Sequence, residues 1–198
     1  MALLLTTANF SGGEQRPARA SGRSAADRRA IDALRVYDLS DHPINPFQDT
    51  KAGTLVFFFV EVECPLSNRY APEINRLHAH FAGDSVEFWL VYPDASTSAQ
   101  EAKRHLADYN YSFGGLRDPK HALVKLSGAT TTPEAAVFTR DGSLLYRGRI
   151  DDRFPSLGVA LIAPNRHDLA DALTAISFGR PVVQRLTPSV GCSIGAVP

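Results

Sequence analysis

An α/β fold is expected from three observations: two strand-length apolar runs, amphipathic helical stretches after them, and an aspartyl-glycine turn between two further strands. Thr54 to Val60 reads Thr-Leu-Val-Phe-Phe-Phe-Val, continuous, aromatic and β-branched, which suits a central strand covered on both faces. Val86 to Tyr92 is a second buried strand, closed by Pro93 and Asp94. Between the two, Tyr70, Ile74, Leu77 and Phe81 recur at i, i+4, i+7 and i+11, one apolar stripe on a helix that ends at Gly83. Pro65 suits the first turn of that helix, and Pro72 within it should produce a kink.

The remaining elements follow in order. Val36 and Leu39, with Asp41-His42-Pro43 and Pro46, indicate a hairpin that precedes the core and leads to Phe47. Ser98 to Tyr109 reads as a helix crossing back over the sheet, and Asp118 to Leu126 as a shorter helical stretch. Ala135 to Thr139 is a third strand, joined through Asp141-Gly142 to a fourth over Leu144 to Ile150. A last helix opens at Asn165, places Leu169, Leu173 and Ile176 on one face, and stops at Gly179 ahead of Pro181. The order β, α, β, α, β-hairpin predicts a central sheet flanked by helices.

Composition sets the limits. A chain of 198 residues, 44% hydrophobic and 21% charged, suits one globular domain, here residues 31–180, with an arm at 1–30 and a tail at 181–198. The 21 basic and 21 acidic residues balance, and no basic run exceeds a dipeptide, so neither nucleic acid nor an anionic membrane is an expected partner. The longest apolar run, Leu55 to Val60, is far below the roughly 20 residues a membrane helix needs. Met1 to Ala8 resembles the end of a secretory apolar region but lacks a basic flank, and Ser11 to Arg29 has the composition of a disordered segment. Periplasmic or secreted and cytoplasmic residence both stay open, since two cysteines give little leverage on redox compartment. No cofactor is expected, because no nucleotide-binding glycine loop occurs. No metal is expected either: His78 and His80 do not share a helix face, and His42, His105, His121 and His167 have no ligand spacing.

Chemistry concentrates at Cys64, where the first central strand hands over to a helix. A lone cysteine is usually a small buried hydrophobe. At a helix N-terminus, however, unpaired N–H groups and the helix dipole favour thiolate over thiol, and so favour a nucleophile. Arg147, Arg149, Asp151, Asp152 and Arg153 form a charged block that reads either as a polar rim for substrate or as a solvated ion-pair network.

With Cys64-Pro65 after the first central strand, Pro72 in the next helix and Thr132-Pro133 before the third strand, the sequence resembles the thioredoxin-like superfamily over about Ile31 to Arg180. The preceding hairpin, the insertion before Thr132-Pro133 and the block Tyr146 to Arg153 are similar to its redoxin branch, the alkyl hydroperoxide reductase and thiol-specific antioxidant type. That resemblance implies a thioredoxin-like fold with a central mixed sheet and a cis Pro133 lying against Cys64. It also implies an oxidoreductase that acts on a protein disulfide or a peroxide and draws on an external thiol reductant.

Two positions depart from the pattern. Thioredoxins carry a second cysteine where this chain has Ser67, and peroxiredoxins carry a hydroxyl residue three before the nucleophile, where this chain has Glu61. Glu61 and Glu63 add negative charge near Cys64, which opposes a thiolate. Cys192, in the tail sequence Val190-Gly191-Cys192-Ser193-Ile194, offers a resolving thiol if that tail folds back. The candidate site is therefore Cys64, Cys192, Pro133, Thr132 and Ser67. Two other classes stay open: a thioredoxin-fold scaffold that binds partners at the Pro133 edge with an idle Cys64, and a copper-delivery protein.

Overall fold

The computed structural model describes residues 25–83 and 85–196. The expectations for Met1 to Ala8, and for Ser11 onward as far as residue 24, lie outside the described residues. The described residues open on helix α1, Ala25–Ala33, which begins inside the stretch whose composition suggests disorder. Ile31 in the helix and Leu34 just past its end are buried in the core and dock it there.

A hairpin follows, β1 (Val36–Asp38) and β2 (Pro43–Ile44), with Asp41 at φ 66° in its turn. Next come β3 (Thr54–Phe59), α2 (Pro65–Phe81, with Pro72 inside), β4 (Val86–Tyr92), and α3 (Ala99–Asp108). Helix α3 starts on a capping box in which Ser98 and Glu101 satisfy each other's backbone N–H groups. Then β5 (Gly115–Arg117) leads into α4 (Ala122–Ser127). A two-residue strand β6 (Thr131–Thr132) precedes β7 (Glu134–Thr139) and β8 (Leu144–Gly148). Helix α5 (Asp168–Ser177) and another two-residue strand, β9 (Cys192–Ser193), complete the order.

Seven strands form one mixed sheet in the order β2-β1-β5-β4-β3-β7-β8, and β6 pairs with β9 in a separate two-stranded sheet. Strands β3, β4 and β5 run parallel, while β7, β8, β1 and β2 pair antiparallel. The continuous apolar run of β3 is explained by its place between β4 and β7, because its alternate side chains enter two different cores. Val56, Phe58 and Val60 meet Tyr70, Ile74 and Leu77 of α2 and Leu169 and Leu173 of α5. On the other face Leu55, Phe57 and Phe59 pack with Ile31, Phe47, Leu123 and Phe138.

Local details differ from the expected pattern at three places. Strand β5 is absent from the sequence reading, being three residues long and opening on a glycine, so it shows no usable alternation. Helix α4 starts at Ala122 rather than Asp118, because Asp118 serves as its cap from outside: Oδ1 accepts from the amide of Ala122 at 2.7 Å, and Oδ2 from those of Leu123 and Val124 at 2.9 and 3.0 Å. Burial lifts the Asp118 carboxyl above its ordinary range, and the three amides pull it back. Helix α5 starts at Asp168, three residues after Asn165, since the Asn165 and Arg166 amides are occupied by the Asp152 carboxylate at 2.7 and 3.0 Å.

Candidate active site

Strand β3 delivers the chain to the site. Past Phe59 the Val60 amide still pairs with the Val91 carbonyl, and a tight turn closes when the Cys64 amide donates to the Glu61 carbonyl at 3.2 Å. Cys64 occupies the N-cap of α2 with extended backbone (φ −78°, ψ 113°), and Pro65 fills the first helical position, where its missing N–H is no loss. No acidic residue stands in the first turn of α2, so its N-terminal N–H groups and dipole bear on the sulfur unopposed from within the helix. Cys64 is only 1% exposed.

A buried polar chain supports this turn from behind. The Tyr92 hydroxyl is 2.9 Å from His105 Nδ1, His105 Nε2 is 2.9 Å from Asn68 Oδ1, and Asn68 Nδ2 donates to the Val62 carbonyl at 3.0 Å. Because the Asn68 amide nitrogen is engaged at Val62, its oxygen must accept from His105, and Nδ1 is left to accept from Tyr92. The neutral imidazole satisfies every member. Burial accordingly holds His105 below its ordinary pKa.

The opposite wall is the turn before β7. Thr132–Pro133 is a cis peptide, and the Thr132 carbonyl oxygen lies 3.2 Å from Cys64 Sγ, where a reduced thiol could donate to it. Behind it, buried Glu134 accepts through Oε2 from the amides of Thr130 and Thr131 at 2.8 and 3.2 Å, and its Oε1 faces Arg147 Nε at 3.5 Å. Arg147 also donates to the Gly128 carbonyl. The Thr132 hydroxyl is buried with no hydrogen-bond partner among the described residues.

The tail completes the site. Thr187 is buried against β8: its amide donates to the Arg147 carbonyl at 3.1 Å, and its hydroxyl accepts from the Arg149 amide at 3.1 Å and meets the Tyr146 hydroxyl at 2.7 Å. Gly148, at φ 147°, makes room for it, since a Cβ there would come within 2.1 Å of the Thr187 hydroxyl. From this anchor the chain crosses to β6, with the Ser189 and Thr131 hydroxyls 2.8 Å apart, and pairs antiparallel with it, Thr132 opposite Cys192 and Thr131 opposite Ser193. Cys64 and Cys192, 128 residues apart in sequence, are joined as a disulfide with Cα atoms 6.3 Å apart. A cavity of about 280 Å³ opens beside the bridge, lined by Glu61, Asp94, His121, Thr132, Ser193 and Ile194 among others.

The model of the AhpC/TSA family matches residues 34–147, more than half of the chain. The chain belongs to the AhpC/TSA family. It is a redoxin-domain protein of the thioredoxin-like superfamily, and its mixed sheet flanked by helices is the fold expected of one. An uncharacterized conserved protein of Geobacillus kaustophilus is similar at 26% identity with a TM-score of 0.71, over 83% of this chain and 89% of that one. A hypothetical protein of Sinorhizobium meliloti shares 22% identity with a TM-score of 0.70, over 81% and 89%. A secreted disulfide oxidoreductase of Mycobacterium tuberculosis has the same fold at 16% identity and a TM-score of 0.54, over 74% and 98%. No curated protein sequence matches the chain significantly.

In this redoxin the structure brings Cys64, Cys192, Thr132 and Pro133 to one point, and places Ser67 one helical turn beneath Cys64. Ser67 is fully buried, and its hydroxyl accepts from the Glu61 amide at 3.4 Å, a structural tie in the position where a thioredoxin keeps its second thiol. The two glutamates separate: Glu61 lines the cavity beside the bridge, whereas Glu63 lines a different depression with Glu101 and Arg104. The charged block from Arg147 to Arg153 forms an ion-pair and capping network. Arg149 pairs with Asp168 at 2.7 Å, Asp152 caps residues 165 and 166, and Asp151 accepts from the Tyr70 hydroxyl at 2.6 Å.

One arrangement escapes sequence spacing altogether: oxygen or nitrogen donors of Glu73, Asp151 and His167 lie within 4.8 Å of one another. Both carboxylates are already engaged, Glu73 by the Arg76 fork at 2.6 and 2.7 Å and Asp151 by Tyr70 and the Arg153 amide. Glu134, Thr187 and Ser189 are the neighbours of the bridge that sequence reasoning missed, whereas Gly191 was marked by its place directly before Cys192.

Proposed function

We propose that this redoxin is a thiol-disulfide oxidoreductase whose redox couple is Cys64 and Cys192. The observation that carries the reading is the Cys64–Cys192 bridge, formed at the N-terminus of α2 and against the cis Thr132–Pro133 turn. In the reduced protein, Cys64 thiolate attacks one sulfur of a substrate disulfide; that S–S bond breaks, a Cys64 mixed disulfide forms, and the departing thiolate takes a proton. Cys192 thiolate then attacks Cys64 Sγ, which closes the intramolecular bridge and releases the second substrate thiol. An external thiol reductant returns the pair to the dithiol.

The residue three positions before Cys64 favours the disulfide over a peroxide as substrate class: Glu61 stands there rather than a hydroxyl, so that side chain does not orient a peroxide by donation. Steady-state reduction of insulin disulfides and of hydrogen peroxide by the purified protein, with Cys64→Ser as control, tests the reading. Insulin reduction that depends on Cys64 is expected. Equal rates for the two proteins would remove it, and Cys64-dependent turnover of peroxide alone would move the substrate class to peroxides.

A further inference from the structure

Resting on that reading of Cys64, we propose that the β6 edge selects its substrate: an extended polypeptide segment whose attacked cysteine is preceded by glycine and followed, two residues on, by an apolar side chain. The tail of this chain shows what the edge accepts. Residues 191–194 lie along β6 with Cys192 opposite Thr132, and the Ile194 amide donates to the Thr130 carbonyl at 3.0 Å. A segment that presents its sulfur to Cys64 while pairing with β6 takes the same register, because Cys64 Sγ is held 3.2 Å from the Thr132 carbonyl.

That register leaves no space at the position before the cysteine. A Cβ on Gly191 would stand 2.1 Å from the Thr132 carbonyl oxygen, 2.7 Å from its carbon and 3.2 Å from Pro133 N. All three are main-chain atoms, held by Glu134 through the Thr130 and Thr131 amides, so no side chain can swing aside to admit a larger residue. Ser193, one residue after the cysteine, is exposed and its position is permissive. Ile194 is half-buried against the core of Leu55, Phe57 and Phe138, which makes the next position apolar.

The same seat explains how the product leaves. Substrate and tail compete for one strand edge, so closure of Cys64–Cys192 restores β9 on β6 and displaces the released segment. The anchor at Thr187 keeps the tail close while the edge is occupied.

The test uses the full chain carrying Cys192→Ser, reduced, so that the mixed disulfide accumulates. The probe is a synthetic peptide of residues 188–196, Pro-Ser-Val-Gly-Cys-Ser-Ile-Gly-Ala, its cysteine held as a disulfide with glutathione. Cys64 attacks the peptide sulfur, the peptide–glutathione S–S bond breaks, Cys64–S–S–peptide forms, and glutathione thiolate departs to be protonated. Mass spectrometry follows the peptide adduct against time. The parent peptide should react about tenfold faster or more than one with alanine before the cysteine, and an aspartate in place of isoleucine should also slow it. Equal rates for the glycine and alanine peptides overturn the selectivity while leaving the nucleophile in place. Absence of reaction with both peptides and with oxidised glutathione overturns the nucleophile, and this proposal with it.

Discussion

The two cysteines of the bridge sit in contrasting settings. Cys64 is on the α2 N-cap, after the most deeply buried strand, and three ties hold its turn: the Cys64 amide to the Glu61 carbonyl, the Glu61 amide to the Ser67 hydroxyl, and the Tyr92–His105–Asn68 chain to the Val62 carbonyl. Cys192 is on a two-residue strand near the end of the chain, half-exposed, and beyond Thr187 it is held by β6 pairing, one hydroxyl contact at Ser189 and the bridge itself. One half of the site is built into the core, and the other is laid against it. A redox couple made this way can change partner at one end while the nucleophile stays in place, because opening the tail exposes little of the core.

That contrast can be broken by substitution. The largest effect belongs to Cys64→Ser, which should take insulin reduction to the uncatalysed background, since the remaining thiol, Cys192, sits on the two-residue strand β9 with no helix N-terminus behind it to favour a thiolate. Cys192→Ser should separate the halves: one equivalent of mixed disulfide forms on Cys64 and turnover then stalls, visible as a burst in single-turnover mass spectrometry. A Cys192→Ser protein that turns over at the parent rate would show that an outside thiol, not the tail, resolves the intermediate. Gly191→Ala should leave the fold intact and slow closure of the Cys64–Cys192 bridge by about tenfold, measured by quenched alkylation after oxidation.

A smaller effect is expected at the anchor. Thr187→Val removes the hydroxyl that serves the Arg149 amide and the Tyr146 hydroxyl, at a cost of about 1–3 kcal/mol. Limited proteolysis of the reduced variant should then cut after residue 187 well before the parent protein is cut there, and identical cleavage would show that the tail is held by other means. The smallest effect lies on the fixed side. His105 is neutral in the fold and its pKa is lowered by burial, so the unfolded chain binds a proton first as pH falls. Its contribution is fully present above the unfolded value near 6.5 and is lost as pH drops from there toward the lowered folded value. Denaturation midpoints at pH 7.5 and pH 5 should therefore differ more for the parent than for His105→Gln, and parallel losses in both would contradict the assignment.

How much of this was legible in the sequence follows the same division. The built-in half was readable, because a run such as Leu55 to Val60 and a stripe such as Tyr70, Ile74 and Leu77 record burial directly in residue type. Cys64 stood out by position, and the cis state of Pro133 followed from the family resemblance. The laid-on half was readable only at Cys192 itself, named as the resolving thiol of a tail that folds back. Strands β6 and β9 have two residues each, too few for periodicity, and their pairing joins segments about sixty residues apart. Glu134 and Thr187 act through backbone amides and a single buried hydroxyl, contacts that leave no sequence signature. The Arg147 to Arg153 block left both rim and network open, with the network the safer reading, because charge spacing alone does not say whether its partners, here Asp168 and Tyr70, lie nearby.

The central claim, that Cys64 and Cys192 form one reversible two-electron couple, is tested most directly by a redox titration of the full chain. The protein is equilibrated in graded dithiol and disulfide buffers, free thiols are trapped by alkylation, and the fraction of the Cys64–Cys192 linked peptide is measured by mass spectrometry. The account predicts a single linked peptide whose fraction falls from full to none, tenfold in the equilibrium constant for about each 30 mV. Absence of that peptide at every potential, with both cysteines alkylated throughout, would contradict it.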